Sequence, residues 1–301
     1  MTMVIEVNNL KKYFGEVRAV DDVSFSVQKG ELFGFLGVNG AGKSTTINIL
    51  CTLLAPTSGS VTVCGREIGK EDNIIKKHIG AVYQNNCLDK LLTVKENLLT
   101  RGSLYVSDKE QLRKNIGRVS GILDLGDILK RPYGKLSGGQ KRRCEIAAAL
   151  IHSPDILFLD EPTTGLDPAA RKSVWETVRS LQRETGMTVF LTTHYMEEAA
   201  QADHIAIMDK GHLTRFGTPF ELKEKYARDK LVVTLKGRGA ENLLAAMDCS
   251  YSLSGDKAVI DIPSTMEALP LLEKIRDMIS GFEVIQGTLD DVFLSVTGGA
   301  V

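Results

Sequence analysis

Short apolar runs alternate with amphipathic stretches over roughly the first 225 residues. Segments 24–27, 32–36, 61–63, 156–159, 188–192 and 204–208 are strand-like, and 4–7 has the same character. Helical spacing fills several of the gaps, as at 43–54 and 169–184. Strands and helices in alternation predict an α/β unit, a mainly parallel sheet covered by helices. From about 92 to 151 the strong strands stop, and Leu112, Ile116, Val119, Ile122 and Leu123 recur at helical spacing. The pattern there predicts a helical subdomain set into the α/β core, spanning about 87–153. A second pattern begins near Lys230: strand 231–235, helix 240–247, strands 251–253 and 258–262, helix 266–279, strand 282–285. That order is a small βαββαβ unit. A last helix, 289–296, places Leu289, Val292, Phe293 and Val296 on one face. The expected division is 1–225 and a small α+β extension, 226–301.

Composition narrows the classes. The 301 residues are 43% hydrophobic and 25% charged, ordinary for a globular protein. The net charge of -1 gives no electrostatic case for nucleic acid as the main partner. Cys51, Cys64, Cys87, Cys144 and Cys249 are scattered, without a Cys-x-x-Cys pair, so free thiols in a reducing cytoplasm are expected rather than a disulfide framework or zinc site. There is no signal-peptide pattern, and no apolar run approaches the roughly 20 residues of a membrane span. Work at a membrane would therefore require another protein to hold this one there.

The chemistry is concentrated in two motifs. Gly37-Val38-Asn39-Gly40-Ala41-Gly42-Lys43-Ser44-Thr45 follows one buried strand and opens a helix, the context that G-x-x-x-x-G-K-[ST] requires. Its glycines let backbone N–H groups converge on a phosphate, and the helix start adds its positive dipole end. Lys43 can reach the β- and γ-phosphates, and the Ser44 hydroxyl can ligate Mg²⁺. Asp160 ends a second apolar strand, 156–159, as the expected metal carboxylate. Glu161 follows it and is placed to polarise the attacking water.

Further segments are more specific. Leu136-Ser137-Gly138-Gly139-Gln140 precedes a helical stretch and resembles the signature motif of the ATP-binding cassette (ABC) family. Gln84 resembles the Q-loop glutamine, Gly165-Leu166-Asp167 the D-loop, and His194 the switch histidine. Phe14 stands where the family has its adenine-stacking aromatic, with Tyr13 the neighbouring alternative. These elements, in order over 1–225, resemble an ABC ATPase of the P-loop NTPase fold. The resemblance implies two cassettes paired head to tail around two MgATP molecules. Each ATP would lie on one phosphate loop and under the partner's Ser137, Gly138, Gly139 and Gln140, with Asp167 nearby. Gln84 would reach the metal and His194 the γ-phosphate. One phosphate loop and one signature per chain make a homodimer the simplest assembly. A separate transmembrane permease would hold it at the cytoplasmic face of the cell membrane. Val38 departs from the frequent proline, at a position that is not a phosphate ligand.

Segments 52–59 and 193–199 and the tail 289–298 resemble the daunorubicin-resistance type of drug-exporter ATPase. The extension carries no catalytic or metal pattern, and a structural role is expected of it, with a ligand-binding regulatory module as the alternative. Two alternatives stand beside the exporter: a soluble ABC ATPase acting on ribosomes or DNA, and one driving a membrane partner without transport.

Overall fold

The structure is a computed structural model that describes residues 2–236 and 251–297. The chain divides into two compact units, Met1–Thr218 and Pro219–Val301. Helix Pro219–Tyr226, most of which the sequence pattern places in the first unit, clusters with the second.

The first unit has two sheets. Strands β1 (Met3–Phe14), β2 (Val17–Gln28), β4 (Ser58–Val63) and β5 (Arg66–Glu67) form an antiparallel sheet in the order β2-β1-β4-β5. Strands β3 (Leu32–Gly37), β6 (Ile79–Val82), β7 (Ile156–Asp160), β8 (Thr188–Thr193), β9 (His204–Asp209) and β10 (His212–Gly217) form the second sheet, ordered β10-β9-β3-β8-β7-β6. All its pairings are parallel except β9 with β10. Its central strands are buried almost end to end, with apolar middles, because both faces are covered. Aromatic rings join the sheets: Phe25 of β2 lies 5.6 Å from Phe33 and 5.4 Å from Phe35 of β3, and Phe33 lies 5.2 Å from Phe190 of β8.

Helices α1 (Lys43–Leu50), α2 (Asp72–His78), α6 (Pro168–Thr185) and the short α7 (Met196–Ala199) connect the strands. The helical stretch is present as α3 (Val94–Gly102), α4 (Lys109–Ile122) and α5 (Gly138–Leu150). Each begins at a capping side chain, Thr93, Asp108 or Ser137. On α4, Leu112, Ile116 and Val119 are buried at the expected spacing.

Several elements differ from the sequence pattern. The helix expected over 43–54 stops at Leu50, because Thr52 turns left-handed (φ 60°) and the Leu53 and Leu54 N–H groups fold back onto the Asn48 carbonyl. Strand β1 runs on to Phe14; a bulge at Asn9 (φ 47°) breaks the period of two that would have revealed it. Strand β10 was not expected; a two-residue turn with Lys210 and Gly211 both at positive φ returns the chain along β9.

The second unit holds β11 (Asp229–Leu235), β12 (Tyr251–Ser254), β13 (Lys257–Ile262) and β14 (Ile279–Ile285) in one antiparallel sheet, ordered β12-β13-β11-β14. Leu231, Val233, Ala258, Ile260 and Ile262 supply its core, with Ala268 and Ile275 from the following helical stretch. The expected helix at 240–247 lies outside the described residues. The one expected at 266–279 is a single-turn approach, then α9 (Ala268–Ile275), then another tight turn into β14. Besides α8 (Pro219–Tyr226) the unit carries α10 (Leu289–Thr297), whose Leu289, Val292 and Phe293 are buried and which packs on α8. Val296, on the same face, is half-buried. Among the described residues no helix is long and apolar enough to cross a membrane.

Candidate active site

Parallel pairing aligns the carboxyl ends of the central strands. Leu36 is level with Thr193, Asp160 with Thr192, and Val82 with Leu159. The loops that leave these ends carry the expected chemistry, where open α/β sheets bind ligands.

After β3 the chain curls through 38–42 into α1. Gly42 sits at φ 105°, and a Cβ there would overlap the Ala19 carbonyl oxygen, so only glycine fits. No side chain caps α1. Its first N–H groups and dipole end are thus left for an anion. Lys43 is buried and donates to the Gly37 and Val38 carbonyl oxygens at 2.7 and 3.1 Å. Burial pulls its pKa below the ordinary lysine value, against the attraction of Glu161 and Asp160. Asn39, Gly40, Ser44 and Thr45 line one open groove with Lys43 and Gly42; Gln84 and Glu161 close its far side. Ala41 is buried behind them.

Asp160 accepts a hydrogen bond from the Thr192 hydroxyl at 2.6 Å. Glu161 turns left-handed (φ 46°), held by its N–H donating to Thr192 Oγ1 at 3.0 Å. One carboxylate oxygen, Glu161 Oε2, accepts from Gln84 Nε2 at 3.2 Å and Thr164 Oγ1 at 3.1 Å, with His194 Nδ1 at 3.7 Å. Three loops far apart in sequence therefore meet on one oxygen beside the phosphate loop. Among the described residues no three His, Cys, Asp or Glu side chains gather as a metal cage. The available donors are instead the Ser44 hydroxyl, the Gln84 amide and the Asp160 carboxylate, oxygen ligands of the kind that suit Mg²⁺.

The signature residues lie apart from this groove. Ser137 caps α5 in a reciprocal box with Gln140 and is exposed, as is Gly138. A Cβ on Gly138 would come within 2.9 Å of Leu166 and one on Gly139 within 3.1 Å of Ala170. The Gly-Gly pair thus lets the start of α5 approach the start of α6, where Asp167 caps by accepting from the Ala170 N–H at 2.9 Å. Phe14 lies at the end of β1 with its ring half-exposed and the Lys12 ammonium 5.0 Å away. Tyr13 is already engaged, its hydroxyl donating to Asp21 at 2.6 Å.

Thr164, Thr192 and Glu198 were missed in the sequence. Buried Glu198 accepts from Thr163 Oγ1 and, at 2.7 Å, from Thr193 Oγ1, tying the loop after Glu161 to the strand end before His194. The readable signal was threonine at the end of apolar segment 188–192 and beside the acidic pair.

Known proteins resemble this chain in sequence and in fold. The family described as ABC transporter matches residues 20–164. The daunorubicin/doxorubicin resistance ATP-binding protein DrrA of Streptomyces peucetius is 38% identical over 99% of this chain and 93% of its own length. The linearmycin resistance ATP-binding protein LnrL of Bacillus subtilis is 41% identical over 82% of this chain and 80% of its own. The Nod factor export ATP-binding protein I of Ralstonia nicotianae is 36% identical over 99% and 94%. A solved post-hydrolysis dimer of an ATP-binding cassette bound to ADP and Pi superposes with a TM-score of 0.64 at 29% identity, over 71% of this chain and 98% of that one.

Proposed function

This chain belongs to the ABC transporter ATP-binding family, and from that premise we propose that it powers an exporter of drugs or other hydrophobic compounds, as a homodimer with a separate membrane-spanning permease. The observation that carries the reading is the convergence of Gln84 and His194 on Glu161 beside the phosphate loop. Relatives named for drug resistance and export, similar over nearly the whole chain, support the direction of transport.

The residues divide the task. Lys43 leaves the Gly37 and Val38 carbonyls to meet the β- and γ-phosphates, while the N–H groups of 39–45 cradle them. Phe14, rather than the engaged Tyr13, stacks on adenine. Ser44, Asp160 and Gln84 hold Mg²⁺, which neutralises phosphate charge when bound. Glu161 draws a proton from the attacking water, and His194 steadies the γ-phosphate. Exposed Ser137 and Gly138, with Gly139, Gln140 and Asp167, close over the nucleotide of the second copy, so each ATP bridges two chains. Hydrolysis removes the bridge, and the dimer loosens. The permease keeps the pair at the cytoplasmic face of the cell membrane.

The test is Glu161→Gln. The variant should bind MgATP with unchanged affinity, hydrolyse it at least about 100-fold more slowly, and run as a dimer in size-exclusion chromatography with MgATP. Tagged and recovered from detergent-solubilised cells with MgATP, it should bring a multi-span membrane protein in stoichiometric amount. Normal turnover removes Glu161 from its role. Recovery with ribosomes or DNA instead removes the exporter.

A further inference from the structure

Arg142, in the second turn of α5, is only 4% exposed. Its guanidinium makes three hydrogen bonds, all to backbone carbonyls. Nε donates to Pro162 at 2.6 Å, one terminal nitrogen to Asp160 at 3.1 Å, and the other to Tyr83 at 2.6 Å. Asp160 and Pro162 are the residues on either side of Glu161. Tyr83 immediately precedes Gln84, whose amide meets Glu161. One planar group thus brackets the turn that carries Glu161 and pins the residue that leads into its partner.

That turn needs holding. A left-handed backbone at a residue with a side chain is strained and persists only where the surroundings over-determine it. Thr192 fixes the Glu161 N–H; Arg142 fixes the carbonyls before and after. One turn further along α5, buried Glu145 accepts the N–H groups of Cys87 and Leu88 at 2.9 and 3.0 Å. The helix therefore grips the Gln84 loop at both ends, and the same helix begins at Ser137.

We propose that Arg142 is a positioning residue for hydrolysis: it sets Glu161 and Gln84 to each other and ties their geometry to the signature end of α5. The proposal rests on Glu161 being the group that activates water.

Arg142→Lys tests it. Lysine keeps the charge, but its single nitrogen cannot reproduce the flat three-way fork. The variant should keep its MgATP affinity within twofold, measured with a fluorescent ATP analogue, and its KM within threefold. Its kcat should fall by about 10- to 100-fold. Added to Glu161→Gln, it should lower turnover no further, because both changes remove one unit. A kcat within twofold of the parent overturns the proposal. So does a fall in kcat that vanishes when activity is scaled to the folded fraction from thermal unfolding, or a loss that multiplies with that of Glu161→Gln. Full turnover in Glu161→Gln alone is a separate result: it removes the underlying role of Glu161.

Discussion

The two units bury different things. Among the described residues the second unit buries apolar side chains alone, whereas the first also buries Lys43, Arg142, Glu145, Glu198 and a set of threonines. A buried polar group costs free energy unless every partner is present. In the first unit Arg142, Glu145, Glu198, Thr192 and Thr193 lie along α5 or against the carboxyl ends of the parallel strands, around Glu161, Gln84 and His194, while Asp21, Glu31 and Asn97 are buried elsewhere. The second unit is simpler: an alternating sheet and one apolar core, closed by the helical stretch that carries Ala268 and Ile275. Fully buried polar groups belong to the first unit, around the candidate site among other places, and none is found among the described residues of the second.

Three substitutions sharpen that contrast or break it. The largest stability effect belongs to Ile260→Ala in the core of the second unit, which should cost about 2–5 kcal/mol. Hydrogen exchange over 251–297 should accelerate while MgATP affinity stays within twofold; a tenfold loss of affinity would show that the two units are not separable in function. Glu198→Ala leaves the Thr163 and Thr193 hydroxyls without their acceptor. It should destabilise the first unit by about 2–3 kcal/mol in urea unfolding and also slow ATP turnover, because Thr193 precedes His194. Unchanged turnover would reduce Glu198 to scaffolding and make the first unit resemble the second.

The smallest effect is electrostatic. Lys230 donates to Asp291 at 2.7 Å, and Asp291 also accepts from Thr288. That hydrogen bond raises the Lys230 pKa. Burial pushes the Asp291 carboxyl up, but the bonds from Lys230 and Thr288 outweigh it and hold its pKa below the ordinary value. Asp291 thus contributes stability above the usual carboxylate pKa, and this is lost as pH falls through its lower folded value. Lys230 contributes below the ordinary lysine value, and loses that as pH rises through its raised one. Asp291→Asn should cost about 0.5–1 kcal/mol near neutrality, with the difference from the parent closing in acid. A gap that stayed constant down to pH 2 in acid unfolding monitored by circular dichroism would mean that packing, not charge, holds α10.

Much of the site was legible because it depends on residue type at fixed local spacing. The phosphate loop needs its glycines, lysine and hydroxyls within nine residues, and the acidic pair needs only the end of an apolar strand. Both are present in the sequence and occupy the expected loops. Arg142 was not legible. Its partners lie 18, 20 and 59 residues away, and nothing near it in the chain distinguishes it from Arg143 beside it, which turns instead to Leu123 and Asp124. The left-handed turn at Glu161 was hidden for the same reason, since a local rule predicts the opposite hand for a glutamate.

The sequence by itself determined the alternation of strands and helices in the first unit, the phosphate loop and the strands of the second unit, because short-range periodicity and backbone sterics decide each of them. Only the tertiary structure decided which groups meet. The parallel register levels Asp160 with Thr192 and Leu36 with Thr193, and side chains separated by scores of residues come to share one carboxylate oxygen. Contacts of that kind depend on how strands pair, and strand pairing is a property of the whole fold.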